Sequence, residues 1–254
     1  MHINMNAGQS IALFLFAHQD DESGIFYEIE KSIEEQYCVI CLYLTDGGYG
    51  KTLPDVRNQE SCDVLMKLGV KKENIYFLGS KLSIQDTKLC FSISVAASAV
   101  AELLINRPIA SIYCPAWEGG HPDHDALYVI ASTLIAKKNI QAQCWQYPLY
   151  NGANLKYHFF RLLKPLKENG QVCSKIIPLR KRLKYIRYCT SYKSQIKSWI
   201  VLLPFLAWHY LTDGHQYLQS IKLLKDYVRP HDGPLYYEKR GFMTWSEFEN
   251  AIIK

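Results

Sequence analysis

The chain opens with an apolar run, IALFLFA at 11–17, that gives way at once to the polar HQDDESG at 18–24. The same change recurs at 109–114 (IASIYC), which leads into WEGGHPDHDAL at 117–127. Further short runs lie at 38–45 (CVICLYLT), 75–78 (IYFL) and 143–147 (QCWQY). Near-continuous rather than alternating apolar positions predict strands buried on both faces, the pattern of a parallel sheet. Amphipathic spacing between the runs predicts helices over 23–36, 57–69, 91–106 and 124–138. The alternation of strand and helix gives an α/β fold, a Rossmann-like, mostly parallel sheet flanked by helices. After about residue 150 the pattern is less regular and richer in helix. Strands are expected at 157–163 and 172–178, and helices at 183–197, 199–211 and 215–226. No repeat, low-complexity tract or linker interrupts the chain. The expectation is one domain over 1–254, with a core at about 10–150 and a C-terminal elaboration over 151–254.

Composition narrows the classes. Hydrophobic residues make up 48% and charged ones 21% of 254 residues, enough apolar material for a sizeable globular core. The net charge of +5 is modest and no RNA or DNA motif accompanies it, so nucleic acid is not an expected partner. Eight cysteines are scattered along the chain. Cys38 and Cys41 have C-x-x-C spacing but fall within a strand, and no second pair completes a zinc knuckle. Buried free thiols in a reducing compartment are expected, and with no basic leader before the first short apolar run the predicted location is cytoplasmic. The stretch WIVLLPFLAWHYL at 199–211 is shorter than the roughly 20 residues that span a bilayer, and it contains Pro204. It reads as a buried or interfacial helix.

The two polar knots carry the candidate chemistry. Both follow predicted strands, and in parallel sheets ligands gather at the carboxyl ends of strands. Asp20, Asp21 and Glu22 are three consecutive acids, which repel unless a cation, a proton or several donors compensate. His18 and Asp21 are close enough in sequence to ligate one ion, and His121 or His124 can supply a third donor. Such a His–Asp–His set suits zinc with an open position, and it also accepts iron. Glu22 reads instead as a first-turn acid favoured by the helix dipole. His2, His158, His209, His215 and His231 lack metal-like spacing, although the loop around His231 (RPHDGPLYYEKRG) is long enough to reach the site.

The paired motifs AHQDDE at 17–22 and HPDH at 121–124 resemble the signature of the PIG-L/LmbE-like deacetylases, zinc-dependent enzymes that act on N-acylated amino sugars and similar amines. TDGGYG at 45–50, Arg57 and Glu60 in a helix ending KLGV, and YFLG at 76–79 extend the likeness over roughly residues 10–150. The resemblance implies metal ligation by His18, Asp21 and His124, with Zn2+ as the expected ion and Fe2+ as an alternative. It implies Asp20 as the general base. His121 would stabilise the oxyanion or protonate the leaving amine, with Asp123 adjusting its charge, and Arg57 would contact substrate. One position departs: the family's usual motif has proline where this chain has Gln19. The expected function is removal of an acyl group, acetyl foremost, from a small N-acyl amine such as a sugar conjugate. A non-sugar amide and a catalytically silent binding protein are the rivals, and the presence of Asp20 argues against silence.

Between Gly170 and Leu211 stand eight basic residues and no acid. A solvated basic face beside a core helix is the plain expectation. The alternative is attraction to an anionic partner, including peripheral contact with an acidic membrane, with Trp199 and Trp208 as interfacial residues.

Overall fold

The computed structural model describes residues 8–48, 53–138, 140, 142–223 and 227–253. In chain order the first part runs β1 (Ile11–Phe16), α1 (Phe26–Glu34), β2 (Cys38–Tyr43), α2 (Pro54–Leu68), β3 (Ile75–Phe77), α3 (Leu78–Leu82), α4 (Ile93–Leu103), β4 (Ile109–Pro115), α5 (Pro122–Lys138) and β5 (Gln143–Tyr147). The second part adds β6 (Tyr150–Asn151), β7 (Arg161–Leu162), β8 (Val172–Ile176), α6 (Leu179–Cys189), α7 (Ile196–Trp208), β9 (His215–Ser220), α8 (Tyr236–Lys239) and α9 (Trp245–Ile252). The described residues form a seven-stranded sheet in the order β3-β2-β1-β4-β5-β9-β8, with β6 and β7 paired separately. The first five strands are parallel, and β9 and β8 extend the sheet antiparallel.

β1 is the hub. It pairs with β2 on one side and β4 on the other, so the strand order reverses there. All six of its residues are fully buried. Ile11, Leu13 and Leu15 pack on the face shared with α4, α5 and α9, whereas Ala12, Phe14 and Phe16 pack on the face shared with α1, α2, α6 and α7. That is the two-sided burial the uninterrupted apolar run demands. The sequence KLGV ends α2 as a Schellman turn: Gly69 takes φ +104, and the Val70 amide donates to the Leu65 carbonyl at 3.0 Å. Pro54 opens the same helix, where its missing N–H costs nothing.

Four expectations for the second half need correction. Residues 215–220 are a strand, not the start of a helix: Gly214 ends the preceding turn in the left-handed region, and β9 inserts between β5 and β8. Residues 221–223 are neither helix nor strand, and 224–226 fall outside the described residues. The partners of β9 are remote in sequence, so tertiary pairing overrides local propensity. Gln216 and Gln219 stay buried because their amides donate to carbonyls of Gly24, Leu166 and Gly170. Of the predicted strand 157–163 only Arg161–Leu162 pairs, and the basic helix runs from Leu179 to Cys189 rather than over 183–197. Trp199 is buried and stacked on Tyr192, so it is no interfacial anchor. Much of the basic stretch is neutralised on α1: Lys175 pairs with Glu28, Lys181 with Glu30 and Glu34, and Lys184 with Glu30. The eight cysteines are free, with Cys38 and Cys41 buried in β2. No helix among the described residues is long and apolar enough to cross a membrane.

YFLG ends where two backbones touch. A Cβ on Gly79 would lie 2.1 Å from the Thr45 carbonyl carbon, and neither backbone can yield cheaply. Gly79→Ala is therefore expected to lower unfolding free energy by about 1–3 kcal/mol, the usual cost of overpacking. Gly48→Ala, whose nearest neighbour would lie at 3.4 Å, is expected to change it little in the same urea titration.

Candidate active site

The two polar knots leave the carboxyl ends of β1 and β4, neighbouring strands at the point where strand order reverses. They meet. After β1 the chain turns sharply, with Asp20 in the left-handed region at φ +104. The acids themselves hold this turn. One Asp21 carboxylate oxygen accepts the Ala17 and His18 amides at 3.0 and 2.8 Å, and Glu22 accepts the Asp20 amide at 2.9 Å. After β4, α5 begins at Pro122 and carries His124 inward on its first turn.

His18, Asp21 and His124 converge, with ligand atoms within 4.8 Å of one another. The second carboxylate oxygen of Asp21 faces His124 Nε2 at 3.1 Å. His18 Nε2 lies 3.0 Å from Asp123, whose carboxylate also accepts the amides of Thr87 and Leu89 at 2.6 and 3.0 Å. Asp123 thus orients His18, whereas its nearest approach to the His121 ring is 3.8 Å. The partnership expected with His121 is the looser of the two, with the Asp123 charge acting upward on that ring. A carboxylate on the outer nitrogen of a histidine fixes its tautomer and strengthens the other nitrogen as a donor. His121 Nδ1 instead accepts the Asp123 amide at 3.2 Å, which leaves the ring proton of the neutral imidazole on Nε2.

Arg57 is buried beside Asp20, 3.7 Å from its carboxylate, and donates to the carbonyls of Gly47 and Gln19. Gln19 turns away: its amide donates to Asn58 and to the Asp46 carbonyl, and the side chain does not line the pocket. The TDGGYG segment makes a turn through Thr45 and Asp46 side chains, which accept the Gly47 and Gly48 amides. Its last residues, Tyr49 and Gly50, fall outside the described ones.

Burial and charge are in competition throughout the site. Burial pushes Asp20 up to about 8, with Arg57 opposing and Asp21 and Glu22 adding to the rise. Burial acts upward on Asp21 too, but His124 and His18 hold it well below the usual carboxylate range. His18 is raised because Asp86, Asp123 and Asp21 together outweigh burial. Burial, then repulsion from His18, lowers His121 to about 3, so that ring stays neutral. The donor set fits a divalent cation: two imidazoles and a carboxylate converge on a buried locus already crowded with negative groups.

Three features escaped the sequence. Asp86 sits between His18 Nε2 and His121 Nε2, at 3.4 and 3.7 Å. It comes from a loop with no motif, and only its place after β3, on the carboxyl edge of the sheet, could have marked it. Glu22 stands in a first turn as expected, but its partners were not legible. It is fully buried and accepts the Tyr192 hydroxyl at 2.8 Å. Finally, the second half of the chain builds much of the pocket, a cavity of about 430 Å³. Gln195 accepts from Arg57 at 2.6 Å and donates to the Gln19 carbonyl, and Tyr236, Arg240 and Phe242 reach in from the loop that carries His231. His231 itself stays outside the pocket.

The family model described as GlcNAc-PI de-N-acetylase, PIG-L, matches residues 13–135, the span that contains both knots. Residues 13–135 are a PIG-L domain. Comparison with curated proteins gives no match. Among solved structures, N,N'-diacetylchitobiose deacetylase from Pyrococcus horikoshii superposes with a TM-score of 0.60 at 19% identity, over 85% of this chain and 84% of that one. A deacetylase of teicoplanin biosynthesis, solved with teicoplanin, has a TM-score of 0.60 at 13% identity over 83% and 98% of the chains. GalB, the 4-carboxy-2-hydroxymuconate hydratase of Pseudomonas putida KT2440, has a TM-score of 0.52 at 12% identity over 87% and 100%. At these identities the likeness is one of fold.

Within the PIG-L domain Glu118 braces the second knot against the strand-end beyond β5. It is fully buried and accepts the Leu149 and Tyr150 amides at 2.7 and 2.9 Å. Burial pushes its carboxyl from 4.5 up to about 7 against these donors. The folded chain therefore keeps a proton that the unfolded chain gives up near 4.5, and the stability this contributes is lost as pH rises through about 7. Urea midpoints are expected to fall over that window, and Glu118→Gln is expected to flatten the slope.

Proposed function

We propose that this protein is a metal-dependent hydrolase that removes an acyl group, acetyl foremost, from an N-acylated amino sugar or sugar conjugate. The convergence of His18, Asp21 and His124, the first two lining one pocket together with Asp20 and His121, carries the reading. The PIG-L match and the deacetylases among the similar structures support the amide as the bond attacked. His18, Asp21 and His124 would hold the ion, zinc foremost. When bound, it polarises the amide carbonyl, acidifies water and offsets the clustered carboxylates.

The remaining chemistry belongs to the chain. Asp20 takes the proton of the attacking water as oxygen bonds to the carbonyl carbon. The neutral His121 donates from Nε2 to the carbonyl oxygen as it gains charge. Asp20 then returns its proton to the nitrogen as the C–N bond breaks, releasing a carboxylic acid and a primary amine. Arg57 holds Asp20 in place, and Asp86 offers an acceptor to a hydroxyl beside the scissile amide. Asp123 orients His18, and its charge also acts on His121.

The test is amine release by metal-loaded protein over a panel of N-acetyl amino sugars, non-sugar amides and an unsaturated carboxylic acid, the last because a hydratase shares the fold. Amine release from the sugars is expected, with no hydration of the acid. Asp20→Asn should keep its metal while turnover falls roughly 10²–10⁴-fold. Asp21→Ala and His124→Ala should instead lose the metal itself, read by elemental analysis. Full activity in Asp20→Asn would sink the assignment of the base.

A further inference from the structure

Helix α7 buries one face and leaves the other without a partner. Trp199 and Leu206 point into the core, with Leu202 and Leu203 packed against it. On the outer face Ile196, Ile200, Pro204 and Trp208 follow one another at four-residue spacing, and Lys197, Val201 and Phe205 form a second row beside them. Ile196, Ile200, Val201, Phe205 and Trp208 are between 52% and 70% exposed, a contiguous apolar strip on one helix. The strip runs to the catalytic pocket, because Lys197 and Val201 line that cavity as well. Across the mouth, Phe160 packs on Phe205 with ring centroids 5.5 Å apart, and its neighbours Tyr157 and Phe159 are 78% and 66% exposed. Exposed apolar groups therefore flank the entrance on both sides.

The charges around the strip share one sign. Lys175, Lys181 and Lys184 are paired with α1, but Arg180, Arg187, Lys193 and Lys197 have no ion-pair partner among the described residues. Glu60, the acid that touches this segment, is taken up by the amide and hydroxyl of Ser194. A second copy docked face to face would set these cations against their own counterparts, which disfavours a symmetric dimer here. An anionic surface complements both the charge and the apolar strip.

We propose that the outer face of α7 is a membrane-docking surface that lies in the headgroup region of an anionic bilayer, with the pocket mouth turned toward the lipid. Ile200, Phe205 and Trp208 enter the interface as an amphipathic helix lying in its plane. Lys193, Lys197 and Arg187 meet the lipid phosphates and carboxylates. Trp208, at the far end of the helix, sits as tryptophan does at the border of an acyl region. Docking is a property of this surface and stands apart from the reaction assigned to the pocket.

The experiment is co-sedimentation of the metal-loaded full-length protein with vesicles of phosphatidylcholine, alone or mixed with phosphatidylserine. Binding is expected on the mixed vesicles. It should weaken as salt rises from about 0.1 M to 1 M and the Debye length falls from about 10 Å to about 3 Å. The double variant Ile200→Asp, Trp208→Asp alters two exposed side chains outside the pocket. It should keep its circular dichroism, unfolding midpoint and basal hydrolysis, yet lose roughly 10-fold or more in partitioning. Lys193→Glu should lose binding to the mixed vesicles and leave that to the neutral ones unchanged. Wild-type protein that stays in the supernatant with both vesicles would overturn the proposal. So would a double variant that sediments like the wild type, or a solution dimer that the same two substitutions dissociate.

Discussion

β1 and β4 are far apart in sequence and adjacent in space, and the parallel pairing between them places two loops at one edge of the sheet. Everything at the site follows from that adjacency. The first loop supplies His18, Asp20 and Asp21, and the second supplies His121 and leads into α5, which carries Asp123 and His124. Neither set can do chemistry alone. The pairing is secured by burial on both faces: β1 is fully enclosed, with its alternate side chains locked into separate halves of the core. A slip of one residue would exchange those halves and turn the ligands away from each other.

Bringing so many charges together under cover has its own cost, and the site answers it by distributing the acids among different partners. Asp21 is held by two amides and two imidazoles, Asp123 by two amides and His18, and Glu22 by an amide and a tyrosine. Asp20 is the exception. Its carboxylate faces Arg57 at 3.7 Å, and burial, with Asp21 and Glu22 adding to it, raises it to about 8. The acid left least satisfied by the protein is the one proposed to exchange a proton, a common arrangement at catalytic centres.

The first 150 residues were legible because each local signal agreed with the final structure. Uninterrupted apolar runs became strands, and Gly69 and Pro54 stand where helices end and begin. The convergence of His18, Asp21 and His124 was legible for a related reason, since its members lie within two short motifs. The second half was less so. β9 depends on partners at 143–147 and 172–176, and its buried glutamines look unlike core residues until the carbonyls they serve are known. Asp86 and Gln195 reach the site from segments whose paths are set by tertiary packing, and nothing in their immediate sequence marks them, whereas Tyr236 comes from the stretch RPHDGPLYYEKRG that reads as long enough to reach it. The Asp123 carboxylate meets His18 at 3.0 Å and stands 3.8 Å from His121, so its charge acts on both imidazoles.

The tie from Gln195 to Arg57 has a broader meaning. The two knots lie within the matched span 13–135, whereas the pocket walls come from α7, the β6–β7 pair and the segment after β9, which lie outside it. Gln195 is where the two meet, with one amide joined to both the arginine beside Asp20 and the backbone of the first knot. A chain organised this way can vary what it admits without rebuilding what it does. The walls can be recut by insertion or exchange in the second half, provided that a residue in the place of Gln195 continues to clasp the arginine.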